Sequence, residues 1–248
     1  MDKNIIIKEH WITHNNNKIY GKAFVPKTKD GKIAAVILCH GYNSSHSDLT
    51  DAASDLANSG VFAYCFDFCG GSKVSKSSGS SLDMSIATEI NDLKAVYNMV
   101  KNLEYIDSTK IYLYGESQGG FVCALTAAEN PDDFAGLFLL YPAFCIPDDW
   151  KKLASETDLN SVELMGMTLS RKFYDELPRY DVFDQIKKYS GRVLIAHGTA
   201  DRIVSIEYSK KLAECFSSAQ LITYPDEGHG FGYKSRSQWI DVICKNFK

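Results

Sequence analysis

Nothing in the 248-residue sequence approaches the roughly eighteen consecutive apolar residues of a membrane-spanning helix. The start, MDKNIIIKEHW, is too polar and its apolar piece too short for a secretory signal, so a cytoplasmic location without a membrane partner is expected. Concentrated positive charge is missing too. No run of Lys and Arg exceeds a pair and the net charge is −4, which removes the electrostatic footprint that nucleic acid requires. None of the seven cysteines forms a C-x-x-C pair, and the close Cys or His spacings of a zinc site are absent. Free, packed thiols are expected instead, with Cys39, Cys65 and Cys123 inside apolar runs, and neither a metal nor an organic cofactor. No internal repeat shows, which removes solenoids and propellers.

What is present is enough apolar residue, 45% of the chain, to bury a sizeable core, and residues 1–248 read as one globular domain carrying an insertion. NIIIKEHWIT and KIYGKAFVP, parted by Asn15, Asn16 and Asn17, predict an N-terminal antiparallel hairpin. KIAAVILCHG is a short continuous apolar run, the pattern of a strand buried on both faces, and SDLTDAASDLANSG is a helix stopped at Gly60. The alternation continues through VFAYCFDF, SIATEINDLKAVYNMVKNL, KIYLYG, SQGGFVCALTAAEN and AGLFLLYP, and resumes with RVLIAHG, SIEYSKKLAECF, AQLITYP and SQWIDVICKNF. Strands alternating with helices imply a mostly parallel, doubly wound α/β sheet. From about residue 144 to 190 the alternation breaks, yet aromatics and methionines persist, so a small helical cap inserted over the sheet is expected. The serine-rich stretch Ser72 to Ser81 reads as a mobile surface loop.

YGESQGG, Tyr114 to Gly120, lies where KIYLYG meets the following helix. A G-x-S-x-G match alone means little, but at a strand-to-helix junction it is the setting of a nucleophile elbow, with Gly115, Gly119 and Gly120 letting the helix approach closely. A serine hydroxyl needs a base to take its proton and a third group to hold that base. RVLIAHGTAD puts Asp201 just past a strand end, and LITYPDEGHGF puts His229 in the loop past the next. Asp226 and Glu227 are alternative acids, though they share the short loop of the histidine and read as solvated. His40 and His197 stand before glycines at strand ends, where a structural or pocket-lining role is favoured, and His10, His14 and His46 fall on peripheral segments. For the oxyanion, the backbone N–H groups of Gln118, which follows the serine, and of Tyr42, after ILCHG, are the candidate donors.

Taken in order, CHGY, FDFCGGS, YGESQGG, HGTADRIV and GHGF resemble the α/β-hydrolase superfamily across nearly the whole chain. Within it the chain is similar to small bacterial carboxylesterases of the feruloyl (cinnamoyl) type. The resemblance implies an α/β-hydrolase fold, with Ser117 as nucleophile, Asp201 as acid, His229 as base, and Tyr42 and Gln118 as oxyanion donors. It implies hydrolysis of small carboxylic esters, of hydroxycinnamoyl type, through an acyl-enzyme, with the ester as the partner and a homodimer left open. Trp150, Phe173 and Tyr174 of the insertion are the candidate substrate contacts. Cys69 departs from the pattern, since many relatives carry Arg there, and the insertion offers no motif to align. A serine peptidase or acyl-peptide hydrolase is the alternative; it would need an anchor for a charged terminus, such as Arg171 or Arg179. A hydrolase-like scaffold that binds without turnover is a third reading, against which the intact Ser, Asp and His argue.

Overall fold

The computed structural model describes residues 4–27, 31–158 and 160–247. Strands β1 (Ile5–His14) and β2 (Asn17–Pro26) are joined through Asn15 and Asn16, both left-handed at φ 48° and 65°, the two-residue turn whose twist suits antiparallel strands. There follow β3 (Ile33–Cys39), α1 (Thr50–Asn58), β4 (Phe62–Phe66), α2 (Ile86–Lys101), β5 (Ile106–Glu116), α3 (Gln118–Glu129) and β6 (Gly136–Leu140). After the insertion come β9 (Arg192–Gly198), α7 (Ile206–Cys215), β10 (Ala219–Tyr224) and α8 (Tyr233–Cys244). One eight-stranded sheet runs β1-β2-β4-β3-β5-β6-β9-β10, antiparallel on both sides of β2 and parallel from β4 onward.

The continuous apolar runs have the reason expected of them, since alternate residues feed two cores. Ala35, Ile37, Ile111, Leu113, Leu137 and Ile195 face one, against Leu93 of α2 and Phe121, Val122 and Leu125 of α3. Val36, Leu38, Tyr114, Phe138 and Leu194 face the other, against Leu56 of α1 and Trp239 and Ile240 of α8. Helix α3 is buried from Gln118 to Ala128, which explains why its sequence lacks a polar stripe. Cys39, Cys65, Cys69, Cys123 and Cys145 are buried free thiols, while Cys215 and Cys244 are partly exposed. Among the described residues no helix is long and apolar enough to cross a membrane, and no cluster of three His, Cys, Asp or Glu could hold a metal.

The serine-rich stretch is an irregular surface loop, as its composition predicts, and it is also tied to the sheet. Where β4 ends, residues 17–20 of β2 lose their partner, and serines take its place. Tyr20 N–H donates to Ser77 Oγ at 2.8 Å, Lys18 N–H to Ser78 Oγ at 2.7 Å, and Ser78 N–H returns to Lys18 O at 2.9 Å. Buried Asp67 fastens the loop from below by accepting from Lys76 N–H and from both the backbone and the ring of His46. His46 is thus a buried structural group and not a peripheral one. The backbone after β4 is held without an arginine, because Cys69 N–H donates to Asp92 Oδ2 at 2.8 Å.

The insertion contains helices α4 (Ile146–Glu156), α5 (Arg171–Asp175) and α6 (Val182–Gln185), together with a hairpin that the periodicity does not announce, β7 (Ser161–Leu164) and β8 (Met167–Ser170). Its turn residues Met165 and Gly166 are both left-handed, at φ 43° and 80°. Polar tethers tie the hairpin to the sheet domain. Tyr42 Oη donates to Leu164 O at 2.9 Å, Asn43 Nδ2 to Met165 O at 3.2 Å and Ser81 Oγ to Thr168 O at 2.6 Å.

Candidate active site

Ser117 sits between β5 and α3 with φ 52° and ψ −119°, a backbone strain that holds only because its neighbours enforce it. Ser117 N–H donates to Leu140 O at 3.0 Å, and Ser117 O accepts from Phe121 and Ala143 N–H at 3.2 and 3.0 Å. Two of the glycines are required by close approach. A Cβ on Gly119 would collide with the carbonyls of Cys39 and His40, and one on Gly115 with the backbone of Gly119 and Gly120.

A relay of hydrogen bonds begins at the serine. Ser117 Oγ lies 2.9 Å from His229 Nε2, and His229 Nδ1 lies 2.8 Å from Asp201 Oδ2. Asp201 is itself held: its Oδ1 accepts from Ile203 and Val204 N–H at 2.9 Å each, and His197 Nε2 approaches Oδ2 at 3.3 Å. Burial raises the pKa of this carboxyl, but the bonds from His197, His229 and the two backbone amides outweigh it and hold the group well below the usual carboxylate range. A carboxylate that stays ionised fixes the Nδ1–H tautomer of His229 and leaves Nε2 to accept the serine proton.

The rival groups are placed elsewhere. Asp226 is exposed at φ 61°, and Glu227 accepts from Gly232 N–H at 3.0 Å and from Ser235 Oγ. His40 is buried, which lowers its pKa. Its Nδ1 donates to Gly41 O at 2.8 Å while Nε2 accepts from Phe68 N–H at 3.1 Å, so it braces the turn that leads to Tyr42. His197 accepts at Nδ1 from Ser209 Oγ at 2.7 Å and supports Asp201 through its other nitrogen.

The donor candidates flank the serine. Gln118 is the first residue of α3, so its N–H has no intrahelical acceptor and stands at the positive end of the helix. Gly41 packs on Ser117 so closely that a Cβ there would meet Ser117 Cβ at 3.2 Å, and Tyr42, the next residue, lines the same cavity as Ser117 and Gln118. Below, Gln118 Nε2 donates to both oxygens of Glu89, at 2.9 and 2.8 Å. Burial pushes the Glu89 carboxyl up to about 8, against the lowering effect of Gln118.

A cavity of about 300 Å³ opens beside Ser117 beneath the insertion. Trp150 and Phe173 line it, their rings 4.8 Å apart, with Ile146, Leu153, Leu164, Met165, Ile203 and Val204 completing an apolar wall and Asp149 its one charged member. Tyr174 is not among its walls. Its ring lies under the Arg179 guanidinium, 4.5 Å away, and faces a separate outer cleft. Arg171, paired with Asp175 at 3.2 Å, and Arg179 likewise stay out of the cavity. Sequence reasoning missed Leu164 and Met165, because Met165-Gly166 is not one of the Asn-Gly or Asp-Gly pairs that announce such a hairpin. It also missed Glu116, Tyr141 and Arg236, a polar cluster behind His229 in which Glu116 and Tyr141 are buried and Arg236 partly so.

Comparison with known proteins follows the same lines. The sequence model of the prolyl oligopeptidase family matches residues 51–244. The chain is 24% identical over 289 residues to caffeoylshikimate esterase of Arabidopsis thaliana, across 94% of this chain and 84% of that protein. It is 26% identical over 155 residues to prolyl endopeptidase FAP of Mus musculus, across 60% of this chain and 19% of that one. Est1E from Butyrivibrio proteoclasticus, solved with ferulic acid bound, superposes with a TM-score of 0.85 at 24% identity over 96% of each chain. The fold is therefore that of the α/β-hydrolases.

Proposed function

The chain belongs to the prolyl oligopeptidase family, and from that premise we propose that it is a serine carboxylesterase that works through an acyl-enzyme and prefers an aromatic, hydroxycinnamoyl-type acyl group. The observation that carries this reading is the relay from Ser117 Oγ through His229 to Asp201, at 2.9 and 2.8 Å, on the rim of an apolar cavity. Ser117 Oγ attacks the ester carbonyl as its proton passes to His229 Nε2, and Asp201 steadies the imidazolium. The N–H groups of Gln118 and Tyr42 meet the oxyanion. His229 then gives the proton to the leaving alcohol, and water, activated by the same nitrogen, releases the acid.

The aromatic preference is supported by the Trp150 and Phe173 rings, flat surfaces suited to a planar acyl group, and by the names of two relatives, a caffeoylshikimate esterase and an esterase with ferulic acid bound. A second reading, hydrolysis of aminoacyl bonds, is favoured by the family itself and by Asp149, a carboxylate on the cavity wall that suits a free amine.

A panel of methyl hydroxycinnamates, short nitrophenyl esters and aminoacyl amides separates the two. Hydroxycinnamates are expected to give the highest kcat/KM, and a fluorophosphonate probe should label the wild type but not Ser117→Ala. Cleavage of the amides alone would install the peptidase reading, and labelling that persists in Ser117→Ala would remove the nucleophile.

A further inference from the structure

Glu89 is a buried carboxyl that acyl transfer leaves without a task. It stands in the first turn of α2, where both its oxygens accept from Gln118 Nε2, at 2.9 and 2.8 Å. That contact ties α2 to the first turn of α3, directly after Ser117. The two residues that follow Gln118 cannot add another. Gly119 and Gly120 have no side chains, and a Cβ on either would press on the Cys39 and His40 carbonyls or on Pro142. The turn that carries the Gln118 N–H therefore has one side-chain anchor, and the anchor ends on Glu89. We propose that Glu89 is a positioning residue for the oxyanion donor and that it serves only while it carries its proton. The proposal rests on the esterase reading and concerns how pH regulates that site.

The need for the proton follows from what surrounds the carboxyl. Among the described residues no Lys, Arg or His faces it; Asp92, further along α2, adds repulsion, and only Gln118 favours the anion. Asp92 is itself held by the Cys69 N–H at 2.8 Å, with His14 acting on it electrostatically. The Cys39 thiol at the end of β3 and the Tyr42 hydroxyl feel the same carboxyl, and burial keeps both protonated. Burial likewise pushes Glu89 up to about 8, so it is neutral at pH 7 and releases its proton to solvent above that. An anion there sits at the N-terminal end of α3, where the helix presents its positive end to the oxyanion. The two negative charges then compete for one positive end. The transition state, which creates the second of them, is the loser.

The test follows kcat/KM for methyl cinnamate, which does not itself titrate, from about pH 6 to about pH 9.5 in wild type, Glu89→Gln and Glu89→Leu, with circular dichroism at each pH. Wild type should bend near pH 8 and be about 10- to 30-fold lower by about pH 9.5, the scale of one like charge several ångströms away at an effective dielectric of about 20, while the dichroism stays native. Asp92, pushed up to about 6, puts any bend of its own well below this one. Glu89→Leu leaves the Gln118 amide without its acceptor, so kcat should fall about tenfold at every pH with KM little changed. Glu89→Gln keeps an acceptor and cannot ionise; it should recover most of the activity that Glu89→Leu loses and lack the bend. A wild-type profile that stays level, a bend that survives in Glu89→Gln, a bend that follows loss of the dichroism, or wild-type kcat in Glu89→Leu overturns the proposal and leaves the esterase standing. Should Glu89→Leu not fold, the Glu89→Gln profile decides. Turnover by none of the three at any pH overturns the esterase reading, and the proposal with it.

Discussion

The two halves of the site are built from different physics. On the sheet side, each functional atom is set by a directed bond: Ser117 by its strained backbone and three backbone hydrogen bonds, Asp201 by two amides and two imidazoles, His229 by Asp201 and the ring of Tyr141 at 4.5 Å. On the insertion side, the cavity is walled by apolar surface whose contacts have no preferred angle; this wall packs into the same core as one face of the sheet, and a few side-chain bonds to backbone carbonyls tie its hairpin down. Directed bonds fail all at once, whereas apolar contacts are lost by degrees. Changes on the sheet side should therefore act on kcat as nearly all-or-none events, and changes on the insertion side should grade substrates against one another.

The largest expected effect tests the first half of that contrast. Asp201→Asn leaves the shape of the group but can hold His229 in the wrong tautomer, and kcat should fall by roughly 10³- to 10⁴-fold. Asp226→Asn and Glu227→Gln, outside the relay, should stay within a few-fold of wild type by steady-state kinetics. Comparable losses at Asp226 and Asp201 would reassign the acid and dissolve the contrast.

A smaller effect lies one layer down, where Glu89 holds Gln118. The carboxyl moves from 4.5 in its ordinary setting to about 8, chiefly through burial, with Gln118 opposing and Asp92 adding repulsion. The folded chain thus binds this proton more tightly than the unfolded one. Its contribution to stability is complete below about 4.5 and is lost as pH rises through about 8, on the order of a few kcal/mol over that window. Glu89→Gln, neutral at every pH, should flatten the fall in urea-unfolding free energy between pH 5 and 8.5. Asp92, pushed up to about 6 by burial against the Cys69 amide, will keep part of the slope at the lower end. An unchanged slope in Glu89→Gln would mean that Glu89 is ionised in the folded protein.

The same contrast accounts for what could be read from sequence. Ser117, Asp201 and His229 are legible as candidates because each follows the carboxyl end of a strand; the ends of β5 and β9 carry the apolar run of a buried strand, whereas β10 is a half-exposed edge strand, read from its alternation with the helices. Directed geometry leaves its mark in short motifs, such as the glycines at 115 and 119 that no side chain can replace. The insertion leaves none. Trp150 and Phe173 line the cavity while Tyr174, next in sequence, turns to the outside under Arg179, and adjacent aromatics in a short helix carry no mark that says which is which. Ser72 to Ser81 is a surface loop as read, but its bonding to β2 stays hidden for a related reason. Serine side chains replacing a missing strand have the composition of a loop, and only the position of β2 shows what they complete.

Within the insertion, the graded half of the comparison is tested by Trp150→Ala and Phe173→Ala. Each should lower kcat/KM for methyl ferulate relative to a short aliphatic ester by roughly 1 to 3 kcal/mol, if the lost ring surface counts as one or two methylenes do in a hydrophobic pocket. Tyr174→Ala should leave the ratio of the two substrates near its wild-type value. Equal weakening of both esters in the two cavity variants would assign Trp150 and Phe173 to the core of the insertion and not to the substrate.

The smallest effect falls on the seam between the halves, at Tyr42. It lines both cavities that border Ser117, the apolar one and a second that contains His229, and its hydroxyl, 2.9 Å from Leu164 O, tethers the hairpin whose tip overhangs both cavities through Met165. Tyr42→Phe keeps the backbone donor and the ring and removes only that tether. One neutral hydrogen bond is worth about 1 kcal/mol, and Met165 at φ 43° already stores strain of a similar size, so the hairpin should loosen without leaving. A bulky ester needs the roof in place, whereas a nitrophenyl acetate fits beneath it in either position. KM for methyl ferulate should therefore rise about fivefold with kcat little changed, and nitrophenyl acetate should hardly respond. A fall of 100-fold or more in kcat for both substrates, a loss beyond any single tether, would instead place the Tyr42 hydroxyl in the chemistry and erase the boundary between the two halves.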